Sequence, residues 1–114
     1  MLRTTVLIMG VTLAAATYAH HGWSEYDYDK QLNLEGTIKE SGYEHPHGHI
    51  RLATPDKTWY VVLAPPSRME RRGLPAADLK PGNKVTVFGY PNRNKQEEMR
   101  AERITVNSKT VELR

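Results

Sequence analysis

Cysteine is absent from these 114 residues. That excludes disulfides and thiolate metal sites, so stability must come from a packed core and any metal must be held by nitrogen or oxygen. Charge of one sign is also scarce. Sixteen Lys and Arg against 13 Asp and Glu give a formal charge of +3 with histidine neutral, too little to argue for nucleic acid or an anionic membrane as partner. No apolar run reaches the roughly 20 residues that a membrane-spanning helix needs. Repeats and low-complexity stretches are missing. So are a Ser/His/Asp signature, a glycine-rich phosphate loop and HExxH, and without a catalytic motif nothing here argues for an enzyme.

What is present begins with "MLRTTVLIMGVTLAAATYA". One positive residue, Arg3, precedes an apolar run from about Val6 to Ala16 and then small residues, the pattern of a secretory signal peptide. Val6 to Ala19 is too short to span a bilayer. Thr17 and Ala19 stand at −3 and −1 for cleavage after Ala19, which would make His20 the first residue; cleavage after Ala16 is the alternative. The expectation is a signal peptide over 1–19 and export to a bacterial periplasm. A single domain over 20–114 is left, with 95 residues and a formal charge of +2.

From Gln31 onward the texture is that of strands. "LNLEGTIKESGY" alternates Leu32, Leu34, Gly36 and Ile38 against polar neighbours, and "HGHIRLAT" alternates Ile50 and Leu52 against His47, His49 and Arg51. "TPDK" is a turn, "TWYVVLA" a third strand, and Pro65-Pro66-Ser67 stops that strand and opens a short helix closed by Gly73. "KVTVFGY", "EEMRAERITVN" and "KTVELR" supply the remaining strands, the last after a turn at Asn107-Ser108. This order predicts a mainly all-β fold, a small OB-like β-barrel with one short helix between strands 3 and 4, in which Gly89 permits curvature. An open α+β sandwich is the alternative.

All five histidines fall in two short clusters, His20-His21 and "HPHGH", that is His45, His47 and His49. Such clustering points to metal ligation more than a lone histidine would. In a strand His47 and His49 project to one side. Cleavage after Ala19 would also free an α-amine of low pKa, which can chelate one ion together with the His20 imidazole. A third histidine nitrogen, from His47 or His21 first and otherwise His45 or His49, would complete a planar set that favours Cu(II), whereas a tetrahedral set with water would suit zinc. The aromatics of "GWSEYDYDK" are expected to pack on the barrel and tie down the terminus.

The stretches "AHHGWSEYD", "LEGTI", "HPHGHI", "TWYVVLAPPSRMERRGL" and "LKPGNKVTVFGYPNR" resemble the exported bacterial proteins of the DUF6152 type over nearly the whole mature chain. The matched positions are His20, His21 and Pro46-His47. The chain departs from that pattern with His45 in place of Asn, and with Leu63 where an acidic residue is common. The resemblance implies an exported small β-domain rather than an activity.

The function expected from these features is periplasmic copper binding, for handling or resistance, with a metal donor or acceptor protein as partner. The alternative is an OB-type periplasmic module that binds a small molecule, saccharide or peptide through Trp23, Tyr26, Tyr28, Trp59 or Tyr60. A copper ion on a terminal histidine would resemble the histidine brace of polysaccharide monooxygenases, but so small a barrel offers little substrate surface.

Overall fold

The pleat of one long strand organises the molecule. The computed structural model describes Thr4 and residues 22–114; the expected leader and the ligand candidates His20 and His21 lie outside the described residues. Strand β1 (Leu32–Gly42) pairs antiparallel with β4 (Lys84–Pro91) through its first half and with β2 (His49–Ala53) through its second, changing partners around Thr37. A register shift between Ile38 and Glu40 lets one strand bend between two neighbours. Strand β3 (Thr58–Val62) continues the meander from β2.

Closure comes from β5 (Glu98–Val106). It runs antiparallel to β4, and its first residues, Glu98 to Arg100, lie parallel to Tyr60–Val62 of β3. The ring β1-β2-β3-β5-β4 is thus a closed five-stranded barrel, which leaves none of these strands an open edge. Strand β6 (Lys109–Glu112) pairs with the later part of β5 through a hairpin at Asn107-Ser108, both of which have positive φ, as a two-residue turn between twisted strands demands. Alternation along the strands fills the interior with Ile38, Ile50, Leu52, Val61, Val87, Met99, Ile104 and their neighbours. The OB-like expectation holds. Gly89 sits where the β4–β5 register jumps past Glu102, in backbone contact with Arg100 and Ala101.

One helix, α1 (Pro66–Arg71), lies between β3 and β4 with proline in its first turn, where a missing N–H costs nothing. Gly73 at φ 86° ends it. Its N–H reaches the Glu70 carbonyl and the Leu74 N–H reaches that of Met69, the paired closure that a left-handed glycine allows. Two arginines of "SRMERR" reach the far end of the chain: Arg68 donates to the Leu113 carbonyl, and Arg72 to those of Glu112 and Arg114. They pin the C-terminal strand to the helix. Leu63 is wholly buried in the core.

Candidate functional site

Register places two rows of side chains on the outer face of the barrel. In β2 and β3, His49 lies opposite Val62 and Arg51 opposite Tyr60; the parallel pairing of β3 with β5 extends these rows to Arg100 and Glu98. The rows His49–Val62–Arg100 and Arg51–Tyr60–Glu98 therefore cross three strands. The connection between β1 and β2 (43–48) stands at one end of this face and that between β4 and β5 (92–97) at the other. Between them lies a cleft of about 460 Å³ whose lining includes Tyr26, His47, His49, Tyr60, Lys95, Glu98 and Arg100. A second hollow continues it past Tyr60 to Arg51 and Gln96.

Local hydrogen bonds hold both walls. The Asn92 side chain accepts from the backbone N–H groups of Asn94 and Lys95 and donates to Glu98 Oε2, an Asx turn that fixes the β4–β5 connection. Glu98 Oε2 also accepts from the Tyr26 hydroxyl at 2.7 Å. On the other wall, Gly48 and its neighbours zip onto the end of β3, with the Gly48 N–H donating to the Ala64 carbonyl and the Leu63 N–H to that of Gly48. Tyr43 donates its hydroxyl to the Leu74 carbonyl at 2.6 Å.

The N-terminal segment seals one end. Tyr26 is buried and forms a bridge with Asn92. The Asp27 N–H donates to the Pro91 carbonyl and the Arg93 N–H to that of Glu25. Trp23 lies between two cations, with the Arg100 and Arg114 guanidinium carbons 4.3 and 4.7 Å from its ring centroid, and it stacks on Tyr28. These aromatics anchor the segment, as expected of them. Trp59 belongs to the core, which leaves Tyr60 as the aromatic of β3 that faces the cleft.

The three histidines of "HPHGH" have different surroundings. His45 is exposed. His49 stacks on Tyr60 at 5.0 Å between centroids, over the space a side chain at Gly42 would need. His47 is half-buried, and its Nε2 lies 3.4 Å from Arg100 Nη2. Burial first, then the positive charges of Arg100 and Arg68, hold its pKa below the usual imidazole value, which favours the neutral ring. His47 and His49 share the cleft, but no group of three or more His, Asp or Glu placed to hold a metal occurs among the described residues.

Arg100 is the residue that sequence reasoning missed. It is 6% exposed, its Nε has no hydrogen-bond partner among the described residues, and no carboxylate among them forms an ion pair with it. Burial depresses its pKa. In "EEMRAER" the alternation would have turned Arg100 outward with Glu98. Nothing local signals that β3 will lie beside it, or that Trp23 will cover it.

The chain belongs to a family of unknown function, DUF6152, which matches residues 9–100. No protein with a curated description matches it. Among solved structures it is similar to the ZRD-deleted mutant of TiaS in complex with agmatine, with a TM-score of 0.55, 16% identity, and 74% of this chain and 26% of that one covered. The Stn1–Ten1 complex of S. pombe gives a TM-score of 0.54 at 21% identity, covering 69% of this chain and 59% of that one. A complex of TiaS with a tRNA and ATP gives 0.50 at 21%, covering 78% and 20%. The chain thus spans a fifth to three-fifths of the length of these proteins, and at such identities the likeness is one of fold alone.

Proposed function

We propose that this protein is an exported OB-type binding module that takes a small ligand in the cleft across β2, β3 and β5. The observation that carries this reading is the cleft itself. Its floor is the pair of cross-strand rows and its walls are the β1–β2 and β4–β5 connections, the face and loops with which OB barrels bind oligomeric ligands. Tyr60 offers a ring for stacking, and Lys95, Glu98, His47 and Arg100 offer polar contacts; a mainly polar lining of convergent groups suits a polar ligand. Export to a periplasm rests on the charged-then-apolar leader. The test is a backbone NMR titration of the metal-free mature domain with a neutral oligosaccharide and an uncharged peptide. Shifts should cluster at His49, Tyr60 and Val62, and Tyr60→Ala should weaken binding at least fivefold. Binding that maps elsewhere or ignores Tyr60→Ala would overturn the reading.

A second reading is copper binding, with zinc as the alternative metal, by the amine and imidazole of His20 together with His47 or His21. What favours it is the position of Trp23. That ring packs on Arg100, whose guanidinium lies against His47, and His20 is only three residues before Trp23, a span of about 10 Å at most. Burial and the nearby arginines also lower the pKa of His47, which favours the neutral form that binds metal. His20→Ala, or one extra residue ahead of His20, should weaken a 1:1 Cu(II) complex greatly. Unchanged affinity in both proteins would sink the terminal chelate.

A further inference from the structure

We infer that the Arg100 end of the cleft is a subsite for an anionic oxygen group of the ligand, a carboxylate or a sulfate-like oxyanion. This rests on the cleft being the ligand site and adds the chemistry that the ligand must bring. A buried guanidinium is expensive, costing several kcal/mol in lost hydration, and is ordinarily compensated by a carboxylate or by carbonyls that use most of its five donors. Arg100 has neither. One face is covered by Trp23, one nitrogen makes a long contact to a neutral imidazole, and Nε has no acceptor among the described residues. Among the described residues the charge of this head group is thus uncompensated, and the residue lines the wall of the cleft while its Nε is buried.

The neighbours favour an anion there. Lys95 lines the same cleft, and Arg68 is close enough to act on His47. The carboxylate of that cleft, Glu98, is already occupied by the Tyr26 hydroxyl, the Asn92 amide and Lys95, the last at 3.9 Å. A planar fork beside the His47 ring nitrogen matches the two oxygens of a carboxylate, and the cleft of about 460 Å³ that Arg100 shares with the stacked Tyr60–His49 pair leaves room for the body of a sugar acid.

The experiment uses the mature protein, with D-glucuronate, sulfate and D-glucose as probes and the Arg100 Nε–Hε NMR signal as readout. Glucuronate should shift that signal and bind at least tenfold more tightly than glucose, with affinity falling as NaCl rises. Arg100→Gln should remove that preference. Lys95→Gln, at an exposed position that does not threaten folding, should weaken glucuronate two- to fivefold. Sulfate that acts like glucuronate identifies a general oxyanion site, whereas glucuronate alone identifies a carboxylate site. Glucose and glucuronate binding alike, with sensitivity to Tyr60→Ala but not Arg100→Gln, would overturn the subsite and leave the cleft reading intact. An Arg100 signal unmoved by either anion at millimolar concentrations would overturn it as well, with the neutral probes deciding the cleft separately.

Discussion

Gly89→Ala tests the closure of the barrel most directly. Gly89 faces Ala101 at the point where β5 carries one residue more than β4. A Cβ built there would lie 1.9 Å from the Arg100 carbonyl oxygen and 2.8 Å from Ala101 Cα. A carbon and a carbonyl oxygen need roughly 3.3 Å, so the strands must part by more than an ångström. The obstacle is backbone and cannot swing aside. Overpacking of this kind costs about 1–3 kcal/mol, and two weakened ladder hydrogen bonds add about 1 kcal/mol each. The lower chain entropy of alanine in the unfolded state returns about 0.4–1 kcal/mol. The net loss is about 3 kcal/mol. In urea, with a slope of about 1.5 kcal/mol per molar for a domain this small, the midpoint should fall by about 2 M. Gly48→Ala is the control: its Cβ would meet the tip of Met69 at 2.5 Å, a flexible side chain that can move, and should cost under about 1 kcal/mol. A Gly89→Ala midpoint within about 0.5 M of the parent would refute the argument that this close approach requires glycine.

Three further outcomes follow from the walls of the cleft. Tyr43→Phe strands the Leu74 carbonyl that the hydroxyl serves at 2.6 Å and should lower stability by about 1–2 kcal/mol in the same urea assay. Trp23→Ala removes two cation–π contacts and the Tyr28 stack; at about 0.5–1 kcal/mol each for such partly exposed contacts, roughly 2 kcal/mol should be lost, with faster proteolysis at 22–30. Burial, reinforced by the bond to Glu98, pushes the Tyr26 hydroxyl far above its ordinary 10.0. The folded state therefore holds that proton more tightly, and the resulting stability is present below pH 10 and lost as pH rises beyond it. Phenolate absorbance should show late-ionising tyrosine that titrates only as the domain unfolds, and Tyr26→Phe should reduce that signal by one phenol, leaving the smaller upward shifts of Tyr43 and Tyr90.

The parts of the fold governed by near neighbours were legible in the sequence. Leu32, Leu34 and Ile38 alternate as a half-buried strand must, Gly73 ends the helix, and Asn107-Ser108 turns the last hairpin. Gly89 was readable as a place for curvature because glycine inside a strand pattern has few other uses. The cleft was half legible. "HPHGH" announced chemistry, but the partner of His47 is Arg100, 53 residues away, brought there by a parallel pairing that no local pattern encodes. For the same reason the anchoring roles of Arg68 and Arg72 are not legible, since their acceptors are carbonyls at the far end of the chain.

That single arginine also separates the two functional readings. An ion bound on His47 Nε2 at about 2 Å would lie within about 5 Å of the Arg100 guanidinium, which is itself 3.4 Å from that nitrogen. Two positive charges on the ion and one on the arginine repel by on the order of 6 kcal/mol at an effective dielectric constant of about 20. Copper held through His47 must therefore displace Arg100 or bring an anion with it, whereas copper held by His20 and His21 alone need do neither. Arg100→Gln accordingly acts in opposite directions on the two ligands: it weakens a bound glucuronate, and it tightens Cu(II) at least tenfold if His47 is the third ligand. Competition titrations with a calibrated copper chelator, on protein shown by circular dichroism to be folded, read the second effect. An unchanged or weakened Cu(II) affinity would remove His47 Nε2 from the metal set and leave the imidazole, like the arginine beside it, to the anionic ligand.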